Sequence, residues 1–307
     1  MSRPSSPAVS ASKNHMTGIW WMVLTGILFV CVTGIVRHLG SDLPAVEAAF
    51  IRYFIGLILI APVFIKIYRN KPSGRTVTGF ALRGVVHGLA VILWFYAMAR
   101  IPIAEVTAIG YTAPIFVTIG AAIFLGEKVY ARRIAGVMFG LLGALVILRP
   151  GFEEVSIGQL AQLGAAPLFA ISFLLAKKFT NSSGPDEIVA WLSLFCTITL
   201  LPGAIVGWRT PTMEELFWLA LTAVIATVGH FTMTKALQLA PITVTQPITF
   251  LQLVWATLLG VVVFGEPIDP FVILGGGIIV AAATYISHRE AKAARQAMTP
   301  PAGATKI

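Results

Sequence analysis

Apolar runs of membrane length follow one another almost without pause from Thr17 to His288, and this feature decides what the chain can fold into. A hydrocarbon core about 30 Å thick needs roughly 20 apolar residues per helix. It holds no water for exposed backbone groups, so only helices or a closed barrel can cross it. A barrel would show alternating segments of about ten residues. Here the runs are continuous and dense in Ala, Leu, Gly and Phe, in a chain that is 57% hydrophobic and 11% charged. The expected fold is an all-α polytopic membrane protein. Ten spans are read, at residues 17–38, 45–65, 77–99, 103–125, 132–149, 157–176, 187–206, 214–234, 243–264 and 270–288.

Residues 1–16, rich in Ser and Pro, are expected to form a flexible arm, and residues 289–307 a tail. The first apolar run is of full membrane length, so no cleaved leader is expected. The basic residues give the orientation. With both termini on one side, that side holds sixteen Lys and Arg, among them Lys66, Lys71, Lys177, Lys178 and Lys235. The opposite loops hold four: Arg37, Arg100, Arg149 and Arg209. The positive-inside rule then puts both termini in the cytoplasm. The net charge of +9 lies in these loops and not on one helix face, so no nucleic-acid partner is expected.

Two stretches end alike: YTAPIFVTIGAAIFLGE stops at Gly126 and Glu127, and VTQPITFLQLVWATLLGVVVFGE stops at Gly265 and Glu266. Shifting the chain by 139 residues aligns Ala97, Pro102, Ile103, Ile109, Thr118, Gly126 and Glu127 with identical residues, seven matches in 31 positions without a gap. A shift of 140 brings Leu28 and Phe29 onto Leu168 and Phe169, and Arg37 and His38 onto Lys177 and Lys178. A repeat of five spans has an odd count, so the second copy enters the membrane inverted relative to the first. In each copy the glycine is read as ending a helix and the acid as marking the interface.

With these motifs the chain resembles the drug/metabolite transporter superfamily, and within it the EamA-type proteins with two copies of one domain. The resemblance rests on ALRGVVHGLAVILWFYAMARIPIAEVTAIGYTAPIFVTIGAAIFLGEKVYARRIAGVMFGLLGALVILRPG (81–151) and TKALQLAPITVTQPITFLQLVWATLLGVVVFGE (234–266). It implies two five-helix repeats, residues 17–151 and 152–288, around a cavity that opens alternately to each side. It also implies a cargo among small organic metabolites. The second copy departs at Leu253, which stands where the first has Pro114.

Intramembrane charge is scarce and therefore informative. Arg52 and Arg83 lie inside the second and third spans and are candidate substrate contacts, because a buried guanidinium needs a partner. The ordinary alternative is that such an arginine snorkels to the interface, or pairs with Glu47 or another buried group and locks helices together. Glu47 and Glu105 begin spans two and four, where an acid suits the helix dipole. Together with His87 they are candidates for proton or charge coupling. Tyr111 and Phe250, matched by the repeat, and Trp255 offer deep rings to a planar substrate, and Gln246 offers a neutral contact. Trp94, Tyr96 and Trp191 are read as belt residues at the membrane edge. Pro114, Pro167, Pro202 and Pro247 interrupt spans, and Pro114 and Pro247 are the candidate hinges. Gly84 with Gly88 is read as a packing pair.

Cys31 and Cys196 show no metal or redox spacing, and no cofactor is expected. There is no GxxxxGK[ST], HExxH or GxSxG motif. The reading is a secondary or facilitative transporter of a small molecule and not an enzyme, with the lipid bilayer as its setting. Riboflavin or an amino acid leads the substrates and S-adenosylmethionine follows. The alternative is an intramembrane enzyme acting on a lipid or isoprenoid, with His87, His230 or Glu105 as acid or base. The oligomeric state is left between monomer and homodimer.

Overall fold

In the computed structural model the described residues are 7–70, 73–113, 115–116, 131–149, 154–241, 245 and 248–298. Every regular element among them is an α-helix. In chain order these are α1 (Pro7–Leu39), α2 (Ala45–Ile60), α3 (Val63–Asn70), α4 (Gly74–Met98), α5 (Ile103–Gly110), α6 (Ala131–Leu148), α7 (Ile157–Phe179), α8 (Pro185–Val206), α9 (Met213–Leu239), α10 (Leu251–Phe264) and α11 (Pro270–Met298).

Five helices are long and apolar enough to cross a membrane on their own, and α2 with α3 makes a sixth if the bent pair counts as one span. Ten separate spans are therefore not seen among the described residues. The parts of α6, α10 and α11 that qualify as apolar, Met138–Leu148, Leu251–Phe264 and Pro270–Ala282, are shorter. The second span read at 45–65 is bent by 67° between Ile60 and Val63. Pro62 sits at that break, where it has no N–H to donate. By contrast Pro167 and Pro202, expected to interrupt spans, lie within continuous α7 and α8. α1 begins at Pro7, well before the apolar pattern starts, so residues 7–16 of the expected arm are helical. At the other end α11 runs on to Met298, past the tail boundary.

Polar side chains start several helices. Ser156 and Gln159 form a capping box on α7, and Thr212 and Glu215 one on α9, each satisfying N–H groups that a helix start leaves open. Ser73 accepts from Thr76 N at 3.3 Å on α4.

Most of the helix contacts obey an exchange rule; those of α5 with α1, α4, α6 and α11 are the exceptions. If α1, α2, α4, α5 and α6 are exchanged with α7, α8, α9, α10 and α11, the contact α1·α9 becomes α7·α4, and both occur. So do α4·α8 and α9·α2, α1·α10 and α7·α5, and α2·α4 and α8·α9, while α2·α8, α5·α10 and α6·α11 map onto themselves. That pattern is what two related halves give when packed about a twofold axis.

Individual contacts give the directions. His38 meets Trp218 and Gly18 faces Ala240, so α1 and α9 are antiparallel. Arg37 reaches Ala99 O at the end of α4 and Glu266 after α10, and Glu266 in turn meets Ile103 at the start of α5. Gly158 at the start of α7 faces Ile101 and Arg100, and Glu47 at the start of α2 meets Arg209 beyond α8. Arg149, after α6, pairs with Asp269 just ahead of α11 at 2.8 Å. The four arginine-bearing connections thus gather at one end of the bundle. Lys66 with Asp186, Lys177 with Leu237 O, and Phe80 with Phe179 mark the other. The first half starts at the lysine end and the second at the arginine end.

Close approach is made by missing side chains. A Cβ on Gly84 would collide with Phe195, and one on Gly88 would lie 3.1 Å from Thr199 Cγ2, so the expected packing pair seats α4 on α8. Gly143 and Gly275 do the same where α6 crosses α11. Lipid is as apolar as leucine, so such contacts hold membrane helices together by dispersion and geometry.

Candidate functional site

Midway between the two ends, polar and aromatic side chains from five helices converge. α2 contributes Arg52 and Tyr53, 5% and 2% exposed, and α4 contributes Arg83 and His87, 1% and 6% exposed. α9 brings His230, α7 brings Phe169 and Ser172, and α1 brings Phe29. His87 Nδ1 is 2.8 Å from Ser172 Oγ. The His87 and His230 rings lie edge to face with centroids 5.2 Å apart. Phe169 stands edge-on to His87 at 5.2 Å and Phe29 edge-on to His230 at 5.1 Å. Trp94 touches both phenylalanines. Phe29 and Phe169 are the pair matched in sequence at a shift of 140 residues, and here they occupy equivalent places about the axis.

Arg52 does not pair with Glu47. Its guanidinium carbon lies 3.9 Å from the Tyr53 ring centroid. Arg83 donates from Nη1 to Ile188 O at 3.1 Å, reaching across to the first turn of α8. Glu47, fully buried, accepts from Arg209 N–H at 2.9 Å and so ties α2 to the α8–α9 connection. Glu105 accepts from Gln159 Nε2, which ties α5 to α7. Both acids stay at the arginine end, away from the histidines.

Tyr111 and Phe250 do meet, with ring centroids 5.0 Å apart and planes 80° from each other. Residues that a twofold exchanges can touch only on its axis. The Tyr111 hydroxyl accepts from Leu253 N–H at 2.8 Å and points toward the carbonyls of Thr249 and Phe250, at 3.1 and 3.0 Å. Its polar edge is thereby given to the start of α10, where it acts as a cap. Trp255 is not brought to the centre. It is 38% exposed on a stripe with Leu251, Val254, Leu258 and Val262. Gln246, Pro114, Pro247 and Glu127 lie outside the described residues.

Two rings read as belt residues are interior instead. Trp94 packs between Phe29 and Phe169, and Trp191, 9% exposed, stacks on Phe80 and Phe195. Sequence reasoning left Tyr53 and Ser172 unnoticed. The repeat match at Phe29 and Phe169 was the available signal, since it marks the helix positions beside them.

The EamA-like transporter family matches twice, over residues 16–149 and 156–288, and so covers nearly the whole bundle in two copies. The chain belongs to this family. A riboflavin transporter of Vibrio cholerae is 29% identical over 291 residues, covering 92% of this chain and 97% of that protein. An S-adenosylmethionine uptake transporter of Rickettsia bellii is 27% identical over 285 residues, with shares of 92% and 97%. A pseudopaline exporter of Pseudomonas aeruginosa is 26% identical over 274 residues, with 89% and 96% covered. One protein crystal structure shares the fold at a TM-score of 0.57 and 17% identity, over 94% of this chain and 99% of that one. As an EamA-like protein this chain is a multi-pass inner-membrane transporter of a small metabolite, and not an enzyme. Nothing in the comparisons supports the reading as a lipid- or isoprenoid-modifying enzyme.

Proposed function

We propose that the chain carries a small organic metabolite through the centre of the bundle by alternating access. In this reading residues 17–151 and 152–288 are inverted repeats of five membrane crossings each, and both termini are cytoplasmic. The observation that carries it is the paired arrangement Phe29–His230 and Phe169–His87 about one axis. A site built equally from two oppositely planted halves can be exposed to either face by rocking one half on the other. The lysine end faces the cytoplasm under the positive-inside rule.

Arg52, Arg83 and His87 belong to the substrate region, and Tyr111 with Phe250 forms its aromatic floor on the axis. Glu47 and Glu105 fasten the outer end and are the groups through which charge coupling would act. Riboflavin and amino acids lead as substrates, with S-adenosylmethionine next; the rings around the two histidines suit a planar cargo, and transporters of two of these compounds are among the relatives.

The test is flux in proteoliposomes of the purified protein with radiolabelled riboflavin, aromatic amino acids and S-adenosylmethionine. Saturable, protein-dependent movement of at least one is expected. A folded protein that moves none of them, nor any compound of a broad metabolite panel, overturns the reading.

A further inference from the structure

A guanidinium taken out of water keeps its charge and demands an anion or a full set of acceptors. Arg52 and Arg83 have no carboxylate at ion-pair distance among the described residues, where the ion pairs join other side chains. The buried carboxylates there are Glu47 and Glu105, and both are bonded at the arginine end, to Arg209 N–H and to Gln159. Arg83 spends one N–H on Ile188 O and keeps Nε buried without a partner. His230 Nδ1 is also buried and unpartnered, and the Tyr53 hydroxyl is buried beside Arg52 and Cys196 without a contact of hydrogen-bonding geometry.

These atoms are not scattered. The Tyr53 ring is 6.2 Å from that of His87, which is 5.2 Å from that of His230. The Arg52 guanidinium carbon lies 3.9 Å from the Tyr53 ring centroid, and Arg83 precedes His87 by one helical turn on α4. Two positive charges therefore sit beside three open hydrogen-bonding positions on α2, α4 and α9, with no matching negative charge among the described residues. In the membrane interior a polar group left so is expensive, and natural cores avoid it unless something else completes the set.

We propose that this cluster binds one monoanionic group, supplied by the carboxylate of the carried metabolite or by a small inorganic anion such as chloride. Arg52 and Arg83 supply the charge, and the Tyr53 hydroxyl and a ring N–H of His230 donate to the bound oxygen or halide. The inference rests on the central transport site above and narrows it. An uncharged flavin leaves both guanidiniums uncompensated, so an amino-acid-type cargo is favoured unless chloride occupies the site beside it.

The experiment is thermal unfolding of the full-length protein in detergent, titrated with L-tryptophan, with S-adenosylmethionine, with their carboxamide analogues, and with chloride against a bulky sulfonate salt. If the carboxylate is the ligand, an acid raises the melting temperature and its amide does not. If chloride is the ligand, it gives a saturable rise that the sulfonate does not reproduce. In either case Arg52→Gln weakens the apparent affinity about tenfold or more, the size of one charge-assisted hydrogen bond. Tyr53→Phe, which keeps the ring and its packing, weakens it several-fold and covers the case in which the arginine variant does not fold. Equal response to acid and amide with none to chloride overturns the proposal, as does wild-type affinity in Tyr53→Phe. The flux assay separates it from the transport reading. Saturable flux by a protein that shows neither the acid-against-amide difference nor the chloride response removes the anion site and leaves transport standing. Anion binding without any flux does the reverse.

Discussion

Glu266 illustrates how one carboxylate organises an end of the bundle. Gly265 at φ +63° ends α10 in the left-handed conformation that glycine adopts without penalty, and Glu266 N–H bonds back to Gly260 O at 3.0 Å. The turn folds the side chain over Gly260, where a Cβ would stand 2.6 Å from Glu266 Oε2. The carboxylate then receives Arg37 Nε at 3.1 Å and the first N–H of α5, Ile103 N, at 3.0 Å. Glu266→Gln retains the shape and removes the charge, so stability should fall by about 1.5–3 kcal/mol, the range for hydrogen bonds to charged groups. Thermal unfolding in detergent reads this, and a melting temperature equal to wild type would show that the contact is idle. The sequence announced the glycine and the acid, but not the partners, since Arg37 is 229 positions away. The alternative pairing of Arg52 with Glu47 fails for a simpler reason. Residues five apart on a helix lie about 140° from each other, so Glu47 cannot serve it.

At the scale of elements, helix existence was legible and helix facing was not. Apolar runs gave the long helices because each must bury its own backbone bonds. They carried no face signal, because a membrane helix is apolar on its lipid side as well. Trp255 on the outward stripe of α10 and Trp191 in the interior were therefore both misplaced. Pro62 marks the break between α2 and α3, whereas α7 and α8 run unbroken through Pro167 and Pro202, where interruptions are expected. α11 offers a matched test of facing. Gly275 looks onto Gly143, and a Cβ there would lie 2.6 Å from Ile147 Cγ1, whereas one on Gly277 would meet nothing within 4 Å. Gly275→Ala should destabilise by about 1–3 kcal/mol through overpacking. Gly277→Ala should be neutral or stabilise by up to about 1 kcal/mol from helix propensity. Chemical denaturation of the two variants side by side reads the difference, and equal effects would place α11 wrongly against α6.

The whole molecule rests on the two halves being inverted. The repeat is visible in seven matches and the GE endings, and the lysine and arginine count separates the loops into two groups, whose members among the described residues gather at opposite ends of the bundle. What the sequence withheld was the centre, because Arg52, His87 and His230 come from three helices far apart in the chain and share no motif. The most direct test of the arrangement replaces Cys31 and Cys196 by alanine and places single cysteines at Ser182, in the connection after α7, and at Thr210, before α9. Membrane-impermeant maleimide is then applied to intact cells and to inside-out vesicles. Labelling of position 210 from the outside and of position 182 from the cytoplasmic side is the result expected; labelling of both from one side would contradict the inverted bundle and the transport site built on it.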